Sequence, residues 1–317
     1  AATRGTLGAI DVREPQLLRI WRDDGSMTTD RTAAALGSKG SKSRKDVTYI
    51  VDPADPRLDD YRELNSIAVR AKMERDEYFM GEGYVPIDRM LDSGHRMRSV
   101  LLHPKRLQRF IPTMSRPEMA EVPVYVAEQA VLAEVVGFNM DRCCLASAFR
   151  APMPTVAELA TRCRRLVVLE ALNDDQNVGA IARAARAFGI DGMVISPTCN
   201  DPYQRRTVRV SMGEILHVPV ARAGAEDWPG ALHTLRDAGF ETWALTPDVD
   251  AVDLWDMEVP DRVAAVLGAE GHGLEPKTMD ASTHRVRISI SANVDSLNVG
   301  HAAAVTFAVI GRPARAR

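Results

Sequence analysis

The sequence predicts two α/β regions in series, the second built on a parallel β-sheet. Two observations predict this class. From Arg57 onward, runs of strand length alternate with helical runs, and several strand-like runs of the second half are apolar at almost every residue. Such runs are typical of parallel strands that are covered on both faces. Pro152 and Pro154 separate the two regions, because proline is incompatible with a helix through them.

Residues 1–46 differ from the rest of the chain, and we predict a flexible basic arm there. The stretch 33–45 consists of small, polar and basic residues. It cannot bury enough apolar surface to offset the conformational entropy that the chain would lose on becoming ordered. Two interpretations stay open: a contact for nucleic-acid phosphates, or a disordered leader without a role.

Residues 47–150 are predicted to form a small α/β domain. The predicted helices are 58–73, 84–91, 104–110 and 128–136, and the predicted strands are 78–80, 100–102, 122–126 and 143–149. Residues 151–317 are predicted to form a second domain on a parallel sheet. Its predicted strands are 166–170, 192–196, 217–220, 241–245, 263–267 and 285–290, and its predicted helices are 178–188, 228–238 and 298–310.

Composition excludes several classes of protein. No apolar run reaches the roughly 18 residues that a membrane span needs. The four cysteines form no Cys-x-x-Cys pair and have no histidine at zinc-ligand spacing, so we expect a cytoplasmic protein with reduced thiols. The net charge of −3 argues mildly against a protein that coats nucleic acid, although it leaves room for a local basic patch.

Three motifs put polar residues and glycines at the junction of a strand-like run and a helix-like run. In the first motif, 173–183, Asn177 is expected to cap a helix, Gly179 to allow close approach of another backbone, and Arg183 to lie further along the same helix. A capped helix with a surface arginine is the alternative. In open α/β sheets, junctions at the carboxyl ends of the strands form the ligand crevice.

The second motif, 266–274, is a glycine-rich loop after a predicted buried strand. Gly268, Gly271 and Gly273 allow the backbone to bend around a ligand, and Glu270 and His272 lie between them. Their order is not that of the dinucleotide-binding Gly-x-Gly-x-x-Gly fingerprint. A ligand-free glycine turn stays open, and we expect His272 to face solvent.

The third motif, 295–303, precedes an alanine-rich helix. Ser296 and Asn298 have side chains that can cap this helix. The small residues 302–304 let another segment pack closely against it.

Together, the three motifs resemble those of the SpoU/TrmH-type RNA ribose 2′-O-methyltransferases, a branch of the SPOUT superfamily. The resemblance covers roughly 166–310 and is weaker over 61–149. It implies a deep trefoil knot in the second domain, S-adenosyl-L-methionine as methyl donor, no metal, an RNA-recognition role for the domain at 47–150, and a homodimer.

The resemblance also assigns roles to individual residues. The implied catalytic residues are Asn177, Arg183, Glu270, Ser296 and Asn298. The implied cofactor-binding residues are Thr246, Gly268, Ile288 and Leu297. The implied RNA-binding residues are Arg205, Arg206 and Arg209, within 203–213, where an exposed amphipathic helix without a role is the alternative.

The expected partner is structured RNA. Ribosomal RNA is favoured over transfer RNA, because the chain stops soon after the third motif and carries a preceding domain that resembles RNA-binding domains. Two other functions stay open. One is a non-catalytic RNA-binding protein with a degenerate methyltransferase domain. The other is a dinucleotide-dependent α/β enzyme, which is disfavoured because no glycine-rich turn follows the first strand of the second domain.

Overall fold

The computed structural model describes residues 18–21, 27–30, 47–75, 77–138, 140, 144–291 and 293–311. The chain divides into two compact units, one that ends at Phe149 and one that begins at Arg150. Within the described ranges, no helix has both the length and the apolarity to cross a membrane. The basic stretch 33–45, on which the prediction of a flexible arm depends, lies outside the described residues.

One structured element falls inside the predicted arm. Strands β1 (Leu18–Trp21) and β2 (Met27–Asp30) pair antiparallel, with Leu18 opposite Asp30. The predicted flexible arm contains no strand, so this pairing corrects the prediction. The prediction rests on the small, polar and basic residues at 33–45, and residues 18–30 do not share that composition.

The first unit contains a five-stranded mixed sheet in the order β3-β6-β5-β7-β4. Its strands are β3 (Val47–Tyr49), β4 (Tyr78–Glu82), β5 (Met97–Leu102), β6 (Val124–Val126) and β7 (Cys144–Phe149). Its α-helices are α1 (Ile67–Arg75), α2 (Tyr84–Asp92), α3 (Pro104–Met114) and α4 (Gln129–Val136). Strand β7 runs antiparallel to both of its neighbours, β4 and β5.

The predicted helix 58–73 is wrong. A 3-10 helix, Pro56–Tyr61, and α1 replace it, and the large apolar side chain of Ile67 is 82% exposed. Between them, Glu63 has a left-handed φ of 47°. Its N–H donates to the Val135 carbonyl oxygen at 2.9 Å. A tertiary hydrogen bond to α4 therefore interrupts a segment that has a helical pattern in the sequence.

The second unit contains seven parallel strands in the order β10-β9-β8-β13-β11-β14-β12. The strands are β8 (Arg165–Leu169), β9 (Gly192–Ile195), β10 (Val220–Arg222), β11 (Glu241–Leu245), β12 (Val252–Asp253), β13 (Val263–Leu267) and β14 (His284–Arg287). The α-helices are α5 (Val156–Arg162), α6 (Asp175–Phe188), α7 (Arg205–Val210), α8 (Gly230–Asp237), α9 (Pro276–Ala281) and α10 (Val299–Ile310).

Two predicted strands of this unit have different bounds. The strand predicted at 217–220 is wrong, because His217 ends a 3-10 helix, Glu214–His217, and β10 begins only after Pro219. Proline has no N–H to give to a strand ladder, so pairing begins after it. The strand predicted at 285–290 ends at Arg287, where β14 ends.

The order of the strands places a crevice at the centre of the sheet. The chain passes from β8 outward to β9 and β10 on one side, and then crosses to β11, β13 and β14 on the other. The direction changes between β8 and β13, which are neighbours and are buried at every residue. In open parallel sheets, ligands bind at the carboxyl ends of the strands at such a switch point.

Candidate active site

All three motifs leave the sheet at the carboxyl ends of its strands. The first follows β8, the second follows β13, and the third comes after β14. Because Leu169 of β8 pairs with Leu267 of β13, the first two motifs leave the sheet side by side. The topology therefore brings together segments that are about a hundred residues apart in the sequence.

The first motif forms the start of α6, but the predicted cap is wrong. The N-cap is Asp174, whose carboxylate accepts a hydrogen bond from the Gln176 N–H at 2.9 Å. Asp174 has the extended backbone that an N-cap requires, whereas Asn177 is already inside the helix. Asn177 is 7% exposed, and its amide oxygen is used elsewhere.

The Asn298 side chain connects all three motifs. Its Nδ2 donates to Asn177 Oδ1 at 3.0 Å and to Glu270 Oε1 at 2.7 Å. Its Oδ1 accepts from the N–H groups of Gly300 at 2.9 Å and His301 at 3.4 Å, which caps α10. The side-chain amide of Asn298 thus fixes α6, the glycine loop and α10 relative to one another.

The cap of α10 comes from Asn298, so the structure does not give Ser296 the capping role expected of it. Ser296 and Leu297 are exposed, and Leu297 is 38% exposed. The segment 293–298 has no helix or strand, and its last residue, Asn298, donates a hydrogen bond to Glu270 of the glycine loop.

The glycine loop of the second motif folds back on itself. The Gly273 N–H donates to the Ala269 carbonyl oxygen at 3.0 Å, and Gly271 and Gly273 have left-handed φ values of 89° and 71°. A Cβ on Gly268 would lie 2.2 Å from the Gly273 carbonyl carbon. The glycine at 268 is therefore required by contact with the loop's own backbone. His272 is exposed, as expected.

Thr246 and Ile288 follow the neighbouring strands β11 and β14. The Thr246 N–H donates to the Val286 carbonyl oxygen at 3.0 Å, and both Thr246 and Ile288 are half-buried. Next to Ile288, the Ser289 hydroxyl donates to the Asp253 carboxylate. This hydrogen bond, with a second from the Trp255 N–H, lowers the pKa of Asp253.

Arg183 lies apart from this network of side chains. It is on α6, six residues beyond Asn177, which corresponds to about 9 Å along the helix. Its side chain is exposed, and among the residues that the structure describes no ion pair or hydrogen bond holds the guanidinium. An exposed arginine of this kind is available to an anionic ligand.

The arginines predicted to bind RNA lie on α7, which packs against α6. A Cβ on Gly179 would lie 2.9 Å from the Thr207 carbonyl oxygen, so the close approach predicted for Gly179 is present and involves α7. Arg206 and Arg209 are exposed, and Arg205 is half-buried. The basic helix is therefore fixed to the same helix that carries Asn177 and Arg183.

Sequence reasoning missed Glu170, the residue that follows β8. Its carboxylate is 3% exposed and accepts hydrogen bonds from Trp228 Nε1 at 2.7 Å, Thr278 Oγ1 at 2.6 Å and the Glu275 N–H at 2.9 Å. The signal in the sequence was a single carboxylate at the end of the apolar run 166–169, next to the first motif.

Comparison with known families gives one match in the second unit. Residues 164–308 match the SpoU rRNA Methylase family. Proteins named as uncharacterised tRNA/rRNA methyltransferases of Mycobacterium bovis and Mycobacterium tuberculosis are 41% identical to this chain over 268 residues. Each alignment covers 83% of this chain and 91% of the mycobacterial protein, so the similarity includes most of both units.

Solved structures have the same fold. The AdoMet-bound rRNA methyltransferase of Sinorhizobium meliloti aligns with a TM-score of 0.70 at 21% identity, over 83% of this chain and 97% of that one. The SpoU methyltransferase AviRb of Streptomyces viridochromogenes, in complex with AdoMet, aligns with a TM-score of 0.66 at 20% identity, over 81% and 97%. At these identities, the likeness is one of fold.

Proposed function

We propose a specific reaction for this chain, which belongs to the SpoU rRNA methylase family of SpoU/TrmH-type RNA methyltransferases. It methylates a ribose 2′-hydroxyl of RNA with S-adenosylmethionine as donor. The observation that carries this proposal is the Asn298 amide, which joins Asn177, Glu270 and the start of α10 at the switch point of the sheet. A crevice with this arrangement holds two reactants in a fixed geometry.

The reaction depends more on the relative position of the two reactants than on acid–base chemistry. When bound, S-adenosylmethionine would supply a methyl group in one in-line displacement. The C–S bond would break as the bond to the ribose oxygen forms, S-adenosylhomocysteine would leave, and the hydroxyl proton would pass to water. The chain orients the reactants, which is a large part of catalysis for such a transfer. A guanidinium is a poor proton acceptor, because it stays protonated in proteins. We assign Arg183 to stabilising charge on the ribose oxygen or the adjacent phosphate.

The residues that hold the cofactor in this proposal surround the glycine loop. Gly268, Ile288 and Leu297 would contribute main-chain groups, and Thr246 would lie beside the adenine. The half-buried Ile288 and the 38% exposed Leu297 offer the apolar surface that a purine covers. Ser296 lies in the same segment and is exposed, so its hydroxyl would be available to the substrate.

We also propose a knot, a homodimer and an RNA contact, which the resemblance to the family implies. The third-motif segment, 296–298, threads a deep trefoil knot, the functional unit is a homodimer, and α7 with Arg205, Arg206 and Arg209 contacts RNA phosphates. Ribosomal RNA is the favoured substrate, which agrees with the description of the family and with the names of the proteins from Sinorhizobium meliloti.

Calorimetry and a methylation assay test the proposal. The protein is titrated with S-adenosylmethionine and, separately, with NAD, and is then incubated with ribosomal and transfer RNA and methyl-labelled donor. We expect the protein to bind S-adenosylmethionine and not NAD. We also expect label in dinucleotides that survive alkali, because a 2′-O-methyl group blocks cleavage of the adjacent phosphodiester. Label only in mononucleotides would indicate base methylation and would contradict the proposal. Cofactor binding without transfer to any RNA would favour the non-catalytic alternative.

A further inference from the structure

Glu170 fixes both ends of the glycine loop. Its N–H donates to the Leu267 carbonyl oxygen at 2.9 Å, where β13 ends and the loop begins. Its carboxylate Oε2 accepts from the Glu275 N–H at 2.9 Å, where the loop ends and α9 begins. The middle of the loop is held separately, by the hydrogen bond between Glu270 and Asn298.

The other carboxylate oxygen of Glu170 is held in turn. Oε1 accepts from Trp228 Nε1 at 2.7 Å and from Thr278 Oγ1 at 2.6 Å. With the Glu275 N–H, three donors surround a carboxylate that is 3% exposed. A buried carboxylate needs such donors, and their directions fix its position.

We propose that Glu170 is a positioning residue that holds the glycine loop in the conformation that binds S-adenosylmethionine. This inference rests on the proposed function. Gly271 and Gly273 have left-handed backbone, and glycine restricts the backbone less than any other residue, so these residues do not by themselves hold the loop in one conformation. Affinity falls in proportion to the fraction of molecules in the competent conformation, so a residue that fixes both loop ends sets the affinity without contact with the ligand.

Glu170→Gln separates the loop contact from the other two. Glutamine keeps one carbonyl oxygen, which is able to accept from Trp228 and Thr278. Its NH₂ group then faces the Glu275 N–H, and two donors oppose each other. The variant therefore breaks the bond at the end of the loop and leaves size and packing almost unchanged.

Thr278→Val is the matched control. Valine has the shape of threonine and removes the hydrogen bond from Oγ1 to the same carboxylate. It leaves the bond between Glu170 and the Glu275 N–H in place. Both variants lose a buried hydrogen bond of Glu170, but only Glu170→Gln releases the loop.

The test measures S-adenosylmethionine affinity by calorimetry, RNA affinity by anisotropy and the unfolding midpoint for each variant. We expect Glu170→Gln to raise the Kd for S-adenosylmethionine by at least about tenfold, equivalent to 1.4 kcal/mol, and Thr278→Val by less than about threefold. In steady state, KM for the cofactor rises in Glu170→Gln while kcat at saturation stays near the wild-type value, and RNA affinity is unchanged in both.

The overturning result is a loss of cofactor affinity that follows the loss of stability equally in both variants, or a folded Glu170→Gln protein with wild-type affinity. Trp228 gives a second readout, because its indole N–H signal should shift when cofactor binds to the wild type and shift less in Glu170→Gln. A wild-type protein that binds no S-adenosylmethionine would contradict the proposed function. Wild-type binding with an unaffected Glu170→Gln would contradict only the role of Glu170.

Discussion

The two edges of the parallel sheet are held together by different chemistry. At the amino edge, cations donate to backbone carbonyl oxygens. Arg165 is 1% exposed and donates to the carbonyls of Ile310 at 2.7 Å and Asp261 at 2.5 Å. Arg262 donates in the same way to the carbonyl oxygens of Ala238 and Cys163, at 2.7 and 3.0 Å.

At the carboxyl edge, side chains bond to side chains and several groups stay exposed. Asn298, Glu270 and Ser296 are exposed, and the loop between β13 and α9 depends on left-handed glycines. Arginine donors satisfy backbone carbonyl oxygens, and charge-assisted hydrogen bonds of this kind are the stronger ones. The comparison teaches that these stabilising contacts and the candidate site lie at opposite ends of the same strands, which agrees with ligand binding at the carboxyl ends of parallel strands.

Arg165→Met should produce the largest effect, and it should act on stability. Methionine retains an apolar stem but removes the donors to the buried carbonyl oxygen of Ile310 and the part-buried carbonyl oxygen of Asp261. At 1–3 kcal/mol for each unsatisfied group, we expect a loss of about 3 kcal/mol in the free energy of unfolding, measured in urea. Arg162 is exposed and is the last residue of α5. As a control, Arg162→Met should change the free energy of unfolding by less than about 0.5 kcal/mol.

Cofactor affinity of the folded Arg165→Met protein should equal that of the wild type. If the affinity falls together with stability, the two edges are not independent, and the division between them does not hold.

Arg183→Ala should produce the next largest effect, and it should act on turnover. Loss of one charge-stabilising donor costs about two orders of magnitude in rate. We expect unchanged S-adenosylmethionine affinity and poor rescue by Arg183→Lys, since lysine lacks the planar fork. Arg186→Ala is the control on the same helix, because Arg186 forms an exposed ion pair with Glu214 at 3.6 Å. Its turnover should stay within about threefold, as such pairs contribute little. Wild-type turnover in Arg183→Ala would remove this residue from the mechanism.

Asn298→Asp should produce a smaller loss of turnover, about tenfold, with little loss of stability. Aspartate caps a helix as well as asparagine does. Its carboxylate, however, cannot donate to Asn177 and Glu270 and repels the latter. Asn298→Ala also loses the cap, which costs about 1 kcal/mol of stability. Unfolding midpoints and methylation rates of the two variants separate the cap from the network. Equal turnover in Asn298→Asp and wild type would show that the network serves only α10.

The elements of the sheet could be predicted from the sequence because the inner strands are apolar at almost every residue. Strands β11 and β13 begin and end at the predicted residues. The cap of α6 could not be predicted, because Asn173, Asp174 and Asp175 all precede Asn177 and only the backbone conformation selects Asp174. All four side chains have the chemistry of a cap.

Two other features depend on contacts that are remote in the sequence. The break in the helix predicted at 58–73 follows from the bond between Glu63 and Val135. The role of Glu170 follows from Trp228, Glu275 and Thr278, which are 58 to 108 residues away. In both cases tertiary hydrogen bonds decided the outcome, and the local pattern does not contain them.

The smallest effect should come from Cys163, at the amino edge. Burial raises the pKa of its thiol from an ordinary value of 9.0 to about 11. Between these values the unfolded chain loses the thiol proton and the folded chain keeps it, so the unfolded state binds fewer protons and stability falls as pH rises. The contribution is complete below pH 9 and lost as pH approaches 11. We expect Cys163→Ala to have a flatter decline of the urea midpoint between pH 8.5 and 10.5, a range chosen to bracket the ordinary pKa. Cofactor affinity at pH 8 should be unaffected. Parallel declines in wild type and variant would mean that the thiol does not contribute to alkaline sensitivity at this edge.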